Sequence, residues 1–364
     1  MDKIIKNVLK KLESNGFEAY IVGGYVRDLL VGNISYDIDI CTNALPKELH
    51  NIFPLNNGSN TYGGFNLKIK KYNVDITTYR EEIKYENRKP IEIKYINNLV
   101  KDLERRDFTI NSICMNYHGK IIDLIGGVDD INNRIIRMIG NIDKKLEEDP
   151  LRILRAIRFS AILDFRIEEE LSNKLKENVF LIKSLSDIRI KNELNKILIT
   201  ENYKRGLKLL EEYNILKLLE ISYDDIVYVN DINGMWAQLH YKKDFAFTNQ
   251  EKENIMKIRE VLSYGKLDNK VMYNNGLYIS QVAGNILGIP KNKINNMFSK
   301  LGLTNKDELN IKADEIVKIL DIDYKLVSNV INKLVDLILE EKVKNTKKDL
   351  KNYLIHHRKD FINE

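Results

Sequence analysis

The sequence predicts a mixed α/β head followed by an elongated all-helical body. Three observations carry this reading. Before Leu146, several short runs alternate apolar and polar residues with the period of two expected of strands. From Leu146 onward strand patterns nearly vanish and helical spacing dominates to the end. The chain has 364 residues, 43% hydrophobic and 30% charged, too long for one core and enough for roughly two or three domains.

The net charge of +5 is mildly basic, which allows a nucleic-acid partner without requiring one. Two cysteines, Cys41 and Cys114, sit in apolar surroundings. That count argues against a disulfide framework or a zinc site and fits a reducing, cytoplasmic setting. The five histidines show no metal-ligand spacing. The N-terminal stretch lacks the apolar run of a signal peptide, and no later stretch approaches a membrane span.

Taken in order, Lys3–Glu13 is an amphipathic helix stopped by Asn15-Gly16. The apolar run Ala19–Val22 enters the pair Gly23-Gly24, and a short helix, Tyr25–Val31, follows. Tyr36–Cys41 is a strand, and a helix lies near Pro46–Ile52. Asn60–Tyr79 forms hairpin strands. Arg80–Pro90 is charged, has no apolar period and is read as a mobile loop. Leu99–Glu104 starts a helix leading to Arg105-Arg106-Asp107-Phe108-Thr109-Ile110-Asn111. Ser112–Asp123 is a hairpin around His118-Gly119, and Gly127 opens a helix. Helices are then expected at Asp149–Leu163, Glu168–Val179, Ile188–Ile199, Asn202–Tyr213, Ile215–Glu220, Met235–Ala246 and Asn249–Leu262, with four more to the end. The loosest boundaries lie near Gly140 and around Tyr264–Asn269.

The chemistry concentrates in Tyr20–Thr42. In a strand, Asp37 and Asp39 project to the same face. Two close carboxylates repel unless a cation sits between them, and hard oxygens beside a phosphate suit Mg²⁺. The glycine pair brings backbone N–H groups close to a phosphate chain. Together they make a phosphate pocket beside a metal pocket, the equipment for nucleotidyl transfer. Taken singly, each has a plainer explanation: a solvated strand face for the carboxylates, a turn for the glycines. Asp75 is either a third acid at the metal pocket or a solvent-facing carboxylate. Arg105-Arg106-Asp107 either binds phosphate or forms a buried ion pair.

In Glu148-Asp149-Pro150-Leu151-Arg152-Ile153-Leu154-Arg155-Ala156-Ile157-Arg158-Phe159, the three arginines recur at i, i+3 and i+6, near one helical face that Asp149 joins. A plainer role for Asp149 is an N-cap before Pro150.

The order G-G-x-V-R-D, D-x-D, R-R-D-F-T-I-N and E-D-x-x-R resembles the class II CCA-adding enzymes, the tRNA nucleotidyltransferase and bacterial poly(A) polymerase family. The strong match spans about Ala19–Leu198. Ser112 replaces the usual alanine, and Ile188 stands where the family has glutamate. The resemblance implies an α/β nucleotidyltransferase head at 1–140 and an elongated all-α remainder. That remainder comprises a neck at 141–200 that reads the nucleotide base, a body at 201–268 and a tRNA-binding tail at 269–364. It implies Asp37 and Asp39 as catalytic Mg²⁺ ligands. Gly24, Arg27, Arg106, Asp107, Asp149, Arg152, Arg155 and Arg158 become nucleotide-binding residues, with Asp107 orienting Arg106 or touching the ribose. The implied activity is addition of CCA to the tRNA 3′ end from CTP and ATP, by a monomer. Alternatives are a CC-adding or A-adding partial enzyme, a poly(A) polymerase, or a catalytically silent RNA-binding protein. Arg80–Pro90, full length here, favours all three additions, since CC-adding relatives are marked by a shortened loop.

Base reading has a direct physical form. Cytosine and adenine both place an amino donor beside a ring-nitrogen acceptor. Asp149 accepts from the first and Arg152 donates to the second, whereas uracil and guanine meet like with like. Each unpaired buried polar group costs about 1–3 kcal/mol.

Overall fold

The computed structural model describes residues 2–54, 64–86 and 89–362. These group into two compact units, Met1–Glu220 and Ile221–Glu364.

In the first unit, the Asp2 carboxylate caps helix α1 (Lys3–Glu13), which buries Ile5, Val8, Leu9 and Leu12. Strand β1 (Ala19–Val22) leads through Gly23 into α2 (Gly24–Val31), and Gly32 closes that helix in the left-handed region. Strand β2 (Asp37–Thr42) buries Ile38 and Ile40 and exposes Asp37 and Asp39. Helix α3 (Pro46–Ile52), strands β3 (Gly64–Ile69) and β4 (Tyr72–Thr78), and strands β5 (Arg80–Glu86) and β6 (Lys89–Tyr95) follow. Next come α4 (Leu99–Glu104), β7 (Cys114–Met115), β8 (Ile121–Ile122) and α5 (Gly127–Asn132). The main sheet runs β3-β4-β2-β1-β7-β8. Within this sheet, among the described residues, only β2 and β4 pair in parallel, and this register sets Asp39 opposite Asp75 and Asp37 opposite Asn73. Val22, Cys41, Tyr79, Leu103 and Cys114 close one core cluster. Both cysteines are buried and free.

The helical part of this unit begins with β9 (Ile135–Ile136), α6 (Ile142–Glu148) and α7 (Leu151–Leu163). Strand β10 (Arg166–Ile167) pairs in parallel with β9. Helices α8 (Glu169–Asn178), α9 (Asp187–Leu198), α10 (Tyr203–Glu212) and α11 (Ile215–Leu218) complete it. Ile153, Leu154, Ala156 and Ile157 of α7 are fully buried, which leaves its arginines on the other side.

Two expectations fail here. Arg80–Pro90 is not a loop: β5 and β6 pair as an antiparallel hairpin. The reason it was unreadable is that its described residues include no buried apolar stripe; Ile83 and Ile91 are 54% and 51% exposed. Opposite charges across the strands, Glu81 with Lys94 and Lys84 with Glu92, serve the pairing instead. Asn87 and Arg88 lie outside the described residues, as do Asn60–Gly63 of the expected earlier hairpin. The second failure is Met235–Ala246 in the second unit. There β11 (Ile221–Tyr223) is followed by α12 (Ile232–Ala237), which ends before β12 (Leu239–Tyr241) pairs back onto β11. Aromatic contacts override helical periodicity: Trp236 packs on Tyr241, Phe245 and Phe247, at centroid distances of 5.3, 5.2 and 5.0 Å.

The rest of the second unit is helical: α13 (Asn249–Tyr264), α14 (Asn269–Ile286), α15 (Lys291–Ser299), α16 (Ala313–Leu320), α17 (Val327–Leu339), α18 (Lys347–His356) and α19 (Arg358–Ile362). Gly276 kinks α14 at φ 72°. Among the described residues, no helix is long and apolar enough to cross a membrane.

Candidate active site

A cleft of about 800 Å³ opens in the first unit. All ten residues singled out from the sequence line it: Gly24, Arg27, Asp37, Asp39, Arg106, Asp107, Asp149, Arg152, Arg155 and Arg158.

The carboxylate wall comes from β2. Asn73 donates to Asp37 Oδ1 at 3.0 Å, and on the neighbouring strand Asn66 donates to Asp75 Oδ1 at 2.6 Å. Burial raises the Asp39 pKa; the Arg106 guanidinium opposes the rise, and Asp75 and Asp37 reinforce it. Acidic oxygens that raise one another's proton affinity are suited to a hard divalent cation. Among the described residues no group of three or more His, Cys, Asp or Glu side chains is arranged to hold a metal. Asp37 and Asp39 could hold a hard cation if phosphate oxygens and water completed its shell.

Gly23 lies over this wall with φ +85°, and a Cβ there would meet Asp39 Oδ2 at 3.3 Å. The backbone conformation requires glycine, and the close approach leaves little room for a side chain. Gly24 then begins α2, whose Arg27 is bonded to Asp28 Oδ1 through Nη2 at 2.6 Å and to Asn111 Oδ1 through Nη1 at 2.7 Å.

Asp102, fully buried within α4, organises the arginine wall. It accepts from Arg105 Nε at 2.9 Å, Arg106 Nη2 at 3.3 Å and the Arg80 N–H at 3.1 Å. Glu82 on the hairpin pairs with both Arg80 and Arg105. Burial works against the charge of Arg106, but Asp102 and the other groups around it, Asp39 among them, together more than offset it. Arg106 Nε is buried and has no hydrogen-bond partner. A buried unsatisfied donor is costly, so a ligand anion would be welcome there.

Asp107 takes a different part from the one expected of it toward Arg106. Its Oδ2 accepts from Arg155 Nε at 2.7 Å, and its Oδ1 from Asn111 Nδ2 at 3.2 Å and the Phe108 N–H at 2.8 Å. Burial alone would raise its pKa; Arg155 and these donors hold it below the usual carboxylate range. The carboxylate that holds Arg106 is Asp102. A continuous chain thus runs from Arg27 through Asn111 and Asp107 to Arg155, joining α2 to α7 across the cleft floor.

On α7, Arg158 Nε donates to Glu193 Oε2 of α9 at 2.7 Å. Arg152, 8% exposed, donates through Nη1 to the Lys145 carbonyl at 2.6 Å and to Glu148 at 3.4 Å. The helix starts at Leu151, and the Asp149 carboxylate has two employments. Its Oδ1 accepts from the Leu151 N–H at 3.2 Å, although the N-cap position of α7 falls on Pro150 and not on Asp149 as expected, and its Oδ2 accepts from Arg189 Nη2 at 3.0 Å.

The cleft also contains residues that the site reading did not select, among them Arg80, Glu82, Asn111, Phe159, Arg189 and Lys196. Asn111 carried a signal, since it stands four residues after Asp107. Arg189 and Lys196 are seven apart on α9, a helical spacing that places them on one face. Arg80 and Glu82 were hidden in the segment read as a loop.

Comparison with known proteins agrees with this geometry. Residues 19–137 match the poly A polymerase head domain, and residues 164–222 match the probable RNA and SrmB-binding site of polymerase A. The CCA-adding enzyme of Ligilactobacillus salivarius is 32% identical over 391 residues, covering 98% of this chain and 96% of that one. The CCA-adding enzyme of Lactococcus lactis subsp. cremoris is 38% identical over 240 residues, covering 65% of this chain and 60% of that one. In fold, the chain is similar to the Bacillus stearothermophilus CCA-adding enzyme in complex with CTP, with a TM-score of 0.84, 24% identity and 99% of each chain covered. It is also similar to the Thermotoga maritima CCA-adding enzyme complexed with tRNA, with a TM-score of 0.69, 21% identity, and 98% and 96% covered. A relative above 30% identity that aligns over nearly the whole of both chains, on a nucleotidyltransferase head with this cleft, establishes that the chain belongs to the CCA-adding enzyme family of nucleotidyltransferases.

Proposed function

We propose that this chain adds C, C and A to the 3′ end of tRNA, from CTP and ATP and without a nucleic-acid template, as a cytoplasmic monomer. The observation that carries the reading is the convergence of a carboxylate pair, an arginine wall and the Asp149–Arg152 pair on one cleft of a single chain. In the reaction the tRNA 3′-oxygen bonds to the α-phosphorus, the bond to the bridging oxygen of pyrophosphate breaks, and the hydroxyl proton goes to solvent.

Asp37 and Asp39 hold Mg²⁺. When bound, it lowers the pKa of the 3′-hydroxyl and neutralises charge on the triphosphate. Gly24 and Arg27 line the nucleotide's path, and Arg106 offers its unsatisfied Nε–H to a phosphate oxygen. Asp149 accepts from the amino group of C or A while Arg152, fixed by the Lys145 carbonyl and Glu148, donates to the ring nitrogen. The neck, 141–200, thereby reads the base, and the body and tail, 201–364, grip tRNA, whose phosphates the basic residues of 342–359 meet.

The test is direct. Transcripts ending before CCA, after C and after CC are incubated with each labelled nucleotide, and product lengths are read. Three additions and then arrest are expected. Arrest after CC, or A alone, would assign a partial enzyme, and an unlimited A tract a poly(A) polymerase.

Two further outcomes follow from the geometry. Arg189 steadies Asp149 through a half-exposed ion pair, and such pairs contribute about 0–1 kcal/mol. Arg189→Ala is therefore expected to lower the C-over-U preference by no more than about fivefold, measured as a ratio of kcat/KM values. Acidification should weaken Mg²⁺ activation at a pH above that of an ordinary aspartate, because the Asp39 pKa is raised and the protonated acid is a poor ligand. The linked stability has the opposite sense. A raised folded-state pKa favours folding at low pH, and that contribution is lost as pH rises through the folded value. Asp39→Asn should remove it, which denaturant unfolding across the acidic range will show.

A further inference from the structure

Phe159 sits at the base of the cleft, 5% exposed, and belongs to neither the metal wall nor the base-reading pair. Three guanidinium carbons approach its ring: Arg158 at 4.2 Å, Arg27 at 5.0 Å and Arg155 at 5.3 Å from the centroid. The arginines come from two elements, α2 and α7, and all three lie close to one point. Phe108 braces the ring from the side, with centroids 5.6 Å apart and planes at 80°. Like charges gathered this closely repel, and something must hold them together before any phosphate arrives.

Each arginine has a carboxylate partner, Asp28, Asp107 or Glu193. A carboxylate restrains an arginine only by cancelling its charge and occupying its N–H groups. An aromatic face works differently. Its quadrupole attracts a cation while carrying no net charge. A ring can therefore fix the position of a guanidinium and leave its charge available.

We propose that Phe159 is a positioning residue for the triphosphate: its ring gathers Arg27, Arg155 and Arg158 into one cluster without adding to the negative charge that Asp28, Asp107 and Glu193 already bring. This rests on the reading of the cleft as a nucleotide pocket. The effect belongs to phosphate binding and not to base choice, which lies with Asp149 and Arg152.

The experiment replaces Phe159 in the full chain with 4-fluoro-, 3,5-difluoro- and 3,4,5-trifluorophenylalanine. Each fluorine weakens the quadrupole at nearly constant ring size. CTP binding is measured by calorimetry, thermal melting confirms folding, and kcat/KM is compared for CTP and UTP. CTP affinity should fall stepwise, to roughly one fifth with three fluorines, while the C-over-U ratio and the melting temperature hold. Phe159→Leu, which removes the ring, should weaken CTP at least as much. Binding by the unsubstituted chain with a flat fluorine series overturns this inference alone. Absence of CTP binding by the unsubstituted chain overturns the cleft reading and this inference with it.

Discussion

Asp37→Ala and Asp39→Ala are each expected to lower nucleotide incorporation by on the order of a thousandfold or more, while tRNA binding stays within a few fold. The two carboxylates are exposed neighbours on one strand face and bury no apolar surface, so their loss leaves the sheet's packing intact. Ile38 and Ile40, which alternate with them, supply the core contacts. Asp39 has the larger role to lose. Although its side chain reaches the cleft solvent, the protein around it partly desolvates Asp39, and this and its acidic neighbours raise its proton affinity; a cation relieves that penalty. Gel-shift measurement of tRNA affinity beside single-turnover incorporation separates the two effects. Robust Mg²⁺-dependent turnover by either variant would remove that residue from the metal site.

The second large effect concerns base choice. Asp149→Ser should keep stability within about 1 kcal/mol, because a serine oxygen can still accept from the Leu151 N–H. It removes the second carboxylate oxygen, the one that faces Arg189 in the cleft. The amino group of C or A then loses its acceptor, and the carbonyl of U no longer meets a negative charge. One matched contact is lost and one mismatch is relieved, so discrimination should fall by on the order of 2–4 kcal/mol. The C-over-U ratio is the informative quantity, since a folding defect lowers all four nucleotides together. If stability and that ratio both stay at wild-type values under steady-state kinetics with CTP, ATP, UTP and GTP, Asp149 is only a helix cap.

The hairpin of β5 and β6 shows where sequence patterns lose their meaning. Periodicity reports burial, and a two-stranded ribbon without a buried face has none to report. The charges that looked like a solvated loop are cross-strand partners, such as Glu81 and Lys94. Trp236 shows the reverse case: its helical spacing was real as far as Ala237, and aromatic packing then turned the chain into β12.

Local chemistry determined much about this chain from sequence alone. Alternation placed Asp37 and Asp39 on one face, helical spacing placed Arg152, Arg155 and Arg158 on one side of α7, and the Asp-Pro pair marked where that helix begins. Each depends on residues within a turn or a strand of one another, where backbone geometry dictates direction. What only the tertiary structure decided is which distant groups share a partner. Asp107 holds Arg155, 48 positions away, and Asp102 holds Arg106. Arg27 and Arg158 meet over one phenyl ring. Ion pairs and cation–π contacts are set by through-space distance, which depends on how the sheet and the helices pack, and sequence separation carries no record of it.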